Sequence, residues 1–173
     1  LLDTQKQIII PIIEEFNGIL HNQGGDSFLF TFSTVTDAVK CGIKIQKQIE
    51  AVEDLNLRIG IHQGEILITD NDVIGDDVNI TARIEPFSAE GGIAISNKVN
   101  DALVRESEFE TKYLGKPKLK GVGQKVEVFC ITSHGLPETK LSEVSAKLEK
   151  TTPIWQIAVS AILVIGVAAY FIM

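Results

Sequence analysis

The stretch from Asp72 to Ser96, D-V-I-G-D-D-V-N-I-T-A-R-I-E-P-F-S-A-E-G-G-I-A-I-S, leaves this chain few ways to fold. A glycine turn opens a helix with an amide and a guanidinium one turn apart. Gly91-Gly92 then turns the chain into a short buried strand, Ile93 to Ile95. A helix returning at once to a buried strand calls for a sheet with helices laid over it.

The flanking sequence continues that alternation. Residues 4 to 16 place Ile8, Ile9, Ile12, Ile13 and Phe16 at helical spacing around Pro11, and Asn17-Gly18 ends the run. Ile19 to Phe32 reads as a hairpin broken at Gly24-Gly25-Asp26, with Phe28, Phe30 and Phe32 on one face of its second strand. Ser33 or Thr34 caps a helix whose apolar stripe is Ala38, Cys41, Ile45 and Ile49. Leu57 to Gln63 alternates, with Leu57, Ile59 and Ile61 inward and Arg58, Gly60 and His62 outward. After Gly64, Glu65 to Thr69 is expected to pair with it, and Asp70-Asn71-Asp72 to turn. Beyond the opening stretch come a helix from Ser96 to about Arg105 and strands near 109–119 and 125–131. The expected class is α+β.

Three further bounds come from composition. Ile154 to Met173 carries no charged residue, and a helix of that length crosses the hydrocarbon core of a bilayer. Lys147 and Lys150 precede it and place the preceding domain on the cytoplasmic side, with Trp155 at headgroup level. The expected organisation is a domain over 1–132, a polar linker over 133–152 and a transmembrane helix over 153–173. A net charge of −7 argues against a nucleic-acid binder that works through a basic face. Cys41 and Cys130 sit in apolar stretches as packed thiols, and the three histidines show no ligand spacing. A first residue of Leu and a last one inside an apolar run suggest a piece of a longer protein.

Several residues carry potential chemistry, and each has an ordinary explanation as well. Asp26 puts a carboxylate at a hairpin tip, where phosphate-bound Mg²⁺ is commonly held, yet Gly-Gly-Asp is also plain turn composition. Asn79 and Arg83, spaced i and i+4, share a helical face that suits a sugar oxygen and developing phosphate charge; a solvated polar face looks the same. Lys120-Gly121 could reach a triphosphate, or Lys116, Lys118 and Lys120 could be the wet side of an edge strand.

Taken together and in order, G-D-S-F-L-F-T-F, R-I-G-I-H-Q-G-E, I-G-D-D-V-N-I-T-A-R-I-E, G-G-I-A-I-S and Y-L-G-K-P-K-L-K-G-V resemble the catalytic domain of class III nucleotidyl cyclases, the adenylyl and guanylyl cyclases. The resemblance covers about residues 4 to 132, and V-N-x-x-x-R followed by G-G-I-x-I-S is its specific part. It implies a ferredoxin-like sheet covered by helices and a lyase that makes a cyclic nucleotide and pyrophosphate with two divalent metal ions, Mg²⁺ or Mn²⁺. By the same resemblance Asp26 matches a metal-binding aspartate, Asn79 the ribose-orienting asparagine, Arg83 the arginine at the pentavalent phosphorus, and Lys120 the lysine on the β and γ phosphates. Asp72 matches the position that reads the purine edge. Asn22 stands where adenylyl cyclases of the well-known type carry a lysine that selects adenine. With Asp72 retained, ATP is the expected substrate and GTP the alternative.

The family's site lies between two chains, so the resemblance implies a homodimer in which Asp26 of one protomer faces Asp72, Asn79, Arg83 and Lys120 of the other. The family's first metal aspartate lies on a strand before the first helix. This chain begins at that helix, so on its own it is expected to be inactive. Two other readings compete. Gly24-Gly25-Asp26-Ser27-Phe28 also resembles the signature loop of diguanylate cyclases, which have no counterpart to Asn79 and Arg83. A degenerate nucleotide-binding or dimerisation domain is the other reading, and it would not need Asp26, Asn79, Arg83 and Lys120 together.

Overall fold

The computed structural model describes residues 2–24, 27–53, 55–69 and 73–144. Helix α1 (Leu2–Glu15) runs through Pro11; the bond that proline cannot make would go to Gln7, and both residues are exposed, so water replaces it. Asn17 at φ 54° ends the helix, with Gly18 N–H returning to the Ile13 carbonyl at 2.9 Å. Strands β1 (Ile19–Gly24) and β2 (Ser27–Thr31) form the expected hairpin and pair only with each other among the described residues.

Helix α2 (Val35–Glu50) starts at Thr34, whose hydroxyl accepts the Asp37 N–H at 3.0 Å. It is buried more widely than a single stripe. Cys41, Ile45 and Ile49 pack with Ile9, Ile12 and Ile13 of α1 and with Phe28, Phe30 and Phe32. Val39 and Ile43 pack instead against the main sheet, so α2 lies between two cores and Ala38 is only half-buried. Gln46, buried between them, donates its amide to the carbonyls of Leu57 at 3.2 Å and Gly92 at 2.6 Å, tying α2 to two strand entrances.

The main sheet has the order β3-β6-β8-β7: β3 (Ile59–Ile61), β6 (Ile93–Ser96), β8 (Val128–Ile131) and β7 (Thr111–Gly115). Strand β6 runs parallel to β3, pairing Ile59 with Ile93 and Ile61 with Ile95, and antiparallel to β8. All of β6 is buried because both sheet faces are covered. Ile93 and Ile95 meet α2 and α4 (Asn97–Leu103), while Ala94 meets α3 (Asp76–Ile84) on the other side. The expected α+β architecture of a sheet covered by helices is present.

Residues 65–69 do not pair with 57–63; β4 (Leu67–Ile68) pairs antiparallel with β5 (Val73–Ile74), and the chain between β3 and β4 is held against α3, with Gly64 in contact with Asp77 and the Glu65 N–H bonded to its carboxylate. This ribbon leaves Ile66, Leu67, Ile68 and Ile74 exposed. The described part of the expected linker, 133–144, packs against the domain: Leu136 and Val144 enter its cores, and Thr139, wholly buried, accepts the Ala89 N–H at 2.9 Å. It ends in a short helix, α5 (Leu141–Val144). Among the described residues no helix is long and apolar enough to cross a membrane; the expected span, 154–173, lies outside them.

Candidate active site

Helix α3 presents the expected polar pair. Ile80 and Ile84, both fully buried, fix its inner face, and Asn79 and Arg83 are exposed on the outer one. Among the described residues no side-chain hydrogen bond or ion pair engages either of them.

Lys120 reaches the same neighbourhood from the segment between β7 and β8. Its flanks alternate: Pro117 and Leu119 are buried and Lys116, Lys118 and Lys120 exposed. Leu119 and Val126 join the core cluster of Ile80 and Ile84, with Val122 packed against it, so the lysine segment rests on α3's own core. The Val122 N–H closes a turn onto the Leu119 carbonyl at 3.1 Å, and Gly121 sits at φ +79°, the third-position conformation that a type II turn gives to glycine. Lys120 is held at the second position of that turn. Lys116 differs, being paired with Glu127 at 3.3 Å.

The remaining site residues fall partly outside what is described. Asp26 and Asp72 lie outside the described residues. The backbone of Asn22 pairs with Leu29 just past a bulge at His21, but its side chain lies outside them as well. Among the described residues no three His, Cys, Asp or Glu side chains converge as a metal site, so they form no metal cage of their own.

A cluster that the pattern of the sequence did not announce lies at the start of α3. His62, expected to point outward, is buried, with its side chain only 2% exposed. Its Nε2 lies 2.9 Å from Asp77 Oδ1 and its Nδ1 2.8 Å from Ser96 Oγ. A carboxylate only accepts, so Nε2 carries the proton, and the Ser96 hydroxyl donates to Nδ1. Asp77 Oδ2 accepts the Glu65 N–H at 2.8 Å. The line Ser96–His62–Asp77 has the order of a hydrolytic triad, but Ser96 is fully buried and no substrate reaches it. Only the Asp76-Asp77 doublet at the helix start hinted at a role here.

Burial lowers the His62 pKa, outweighing the opposing hydrogen bond and charge of Asp77, and Lys98 lowers it further. For Asp77, burial pushes upward, but the bonds from His62 and the Glu65 N–H prevail and the carboxyl ends below its ordinary value. A histidine that binds its proton less readily when folded adds stability that is complete above its unfolded pKa, about 6.5, and is lost as pH falls below it. Asp77 acts in the same direction at far lower pH. The urea midpoint is therefore expected to fall between pH 7 and pH 5, and His62→Gln, which keeps a neutral donor and acceptor, to flatten that slope. Equal slopes for the two proteins would show that His62 does not carry the effect.

The family model for the adenylate and guanylate cyclase catalytic domain matches residues 26–133, more than half of the chain. The chain belongs to that family. Among solved structures it is similar to an adenylate/guanylate cyclase/hydrolase from Silicibacter pomeroyi, with 30% identity, a TM-score of 0.69, and coverage of 78% of this chain and 80% of that one. "Putative adenylate cyclase 3" of Rhizobium meliloti (strain 1021) is 28% identical over 136 residues, which are 75% of this cyclase-family chain and 23% of that protein. Serine/threonine-protein kinase pkn2 of Myxococcus xanthus is 26% identical over 75% of the chain and 16% of its own length. The chain thus spans less than a quarter of either curated relative.

Proposed function

We propose that this cyclase-family domain is an adenylate cyclase that converts ATP to 3′,5′-cyclic AMP and pyrophosphate, acting as a homodimer. The observation that carries the reading is the exposed pair Asn79 and Arg83 on α3, with Lys120 presented by a turn packed on the same core. In the reaction the ribose 3′-oxygen attacks the α-phosphorus while its proton passes to water, and the bond from phosphorus to the pyrophosphate oxygen breaks. Asn79 holds the ribose by hydrogen bonds. Arg83 meets charge growing on the equatorial oxygens, where a planar fork of donors fits best, and Lys120 neutralises the β and γ phosphates as they depart. No nucleophilic side chain is needed.

We assign Asp72 to the adenine edge with Asn22 beside it, and Asp26 of the partner protomer to the divalent ions, Mg²⁺ or Mn²⁺, that the family uses on the phosphates. The apolar ribbon of Ile66, Leu67, Ile68 and Ile74 adjoins α3 and supports a second copy covering this side of the molecule. In the same proposal the uncharged run 154–173 is a membrane span with the domain on the cytoplasmic face, supported by Lys147 and Lys150 before it.

The test is turnover by the intact protein with ATP and with GTP. Cyclic AMP should be the main product, and Asp26→Ala should abolish it. A preference for GTP would make the enzyme a guanylate cyclase, and an unchanged signalling output from Asp26→Ala would point to a degenerate domain.

A further inference from the structure

We propose that Asp77, oriented by His62, is a positioning residue of this site: it fixes the first turn of α3, and with it Asn79 and Arg83, relative to the segment carrying Lys120. The inference rests on the cyclase reading for its kinetic consequence, though not for its structural one.

The first turn of α3 lacks the usual restraint. Its cap position is Gly75, and no side chain caps the free N–H groups. Asp77 anchors the turn instead. One of its oxygens accepts the hydrogen bond from His62 Nε2 at 2.9 Å and that of the Gln124 amide at 3.3 Å; the other accepts the Glu65 N–H at 2.8 Å. Lys98 of α4 stands 4.0 Å away. These partners come from the end of β3, the segment after it, the Lys120 segment and α4, so one carboxylate joins four pieces of chain to the helix. Asp76 beside it is exposed.

Two details show a built arrangement and not only an acid placed at a positive helix end. A β-carbon added at Gly64 would lie 2.0 Å from Asp77 Cγ, so the chain leaves out a side chain to admit this one. Ser96, fully buried, fills the far side of His62 and sets its ring. Asparagine at 77 is the weaker anchor. It offers one acceptor oxygen and no charge, so it keeps the Glu65 N–H only if the His62 ring changes tautomer to receive its amide, and Lys98 loses its counter-charge. Asn79 lies two residues further along the same helix and Arg83 one turn beyond that, so a shift of the first turn moves both.

The experiment compares wild type, Asp77→Asn, His62→Leu and His62→Gln in the intact protein, by amide hydrogen exchange and by kinetics. Leucine fills the imidazole's space without hydrogen bonds; glutamine can accept from Ser96 and donate to Asp77. Exchange of amides 76–80 is expected to quicken at least ~10-fold in Asp77→Asn and His62→Leu, and by less than ~3-fold in His62→Gln. Likewise kcat should fall at least ~10-fold in the first two with KM for nucleotide little changed, and recover in His62→Gln, because misplacement by about 1 Å reaches the transition state before it reaches binding. Unaltered exchange in Asp77→Asn overturns the clamp whatever the turnover; if His62→Leu fails to fold, Asp77→Asn alone decides. Faster exchange with unaltered kcat overturns the positioning role. Absence of turnover in wild type counts against the cyclase reading, and the clamp is then judged by exchange.

Discussion

Arg83→Ala in the intact protein is expected to lower kcat with ATP by about 10²- to 10³-fold, the usual loss when a donor to transition-state charge is removed. KM should move little, because the charge that Arg83 is proposed to meet is greatest at the transition state. The fold should not notice: Arg83 is exposed, no ion pair engages it among the described residues, and Ile80 and Ile84 keep the helix seated. A surface change of this kind alters stability by about 0.5 kcal/mol or less. Arg83→Lys should recover little, since an ammonium is a point charge without the planar fork. Steady-state kinetics beside a melting curve checks this; kcat within threefold of wild type would remove Arg83 from the mechanism.

Gly60→Ala is expected to have the other large effect, and on stability first. A β-carbon at Gly60 would lie 2.7 Å from the Glu85 nitrogen and 2.9 Å from the Glu85 α-carbon and the Thr81 carbonyl. All three are backbone atoms, which cannot swing aside as a side-chain tip would. The strand and the end of α3 must part, at a cost of about 1–3 kcal/mol, the range for an overpacked core. For a chain of this size that is a fall in Tm of roughly 2–4 °C per kcal/mol. The displaced helix carries Arg83, so activity should fall further than stability accounts for. A melting temperature unchanged by the substitution would mean that β3 and α3 do not touch here.

Gly60 also shows how far the sequence could be read. Alternation over Leu57 to Gln63 located β3 and its inward Ile59 and Ile61, but assigned Gly60 and His62 to solvent. A period of two says only which residues share a face; here the second face is covered too, by α3, from a segment far along the chain. His62 was obscure for the same reason, since Asp77 and Ser96 are neighbours only in space. That Asn79 and Arg83 share an exposed face of one helix was legible because their relation is local, one helical turn. The pairing of Leu67–Ile68 is not legible because a hairpin with β3 and a ribbon with β5 demand the same alternation, and the hold of Asp77 on the Gly64–Glu65 segment is a contact made only in space. The segment after Thr132 looked polar on average; Leu136, Thr139 and Val144, widely spaced, anchor its described part.

Helix α2 joins the two cores. One side of it serves as a wall for α1 and the hairpin, and the other as a wall for the sheet, with Gln46 tethering both strand entrances. Neither core can melt without uncovering apolar surface in the other. The hairpin that leads to Asp26 and the helix that bears Arg83 therefore belong to a single cooperative unit, and damage at either end is felt at both.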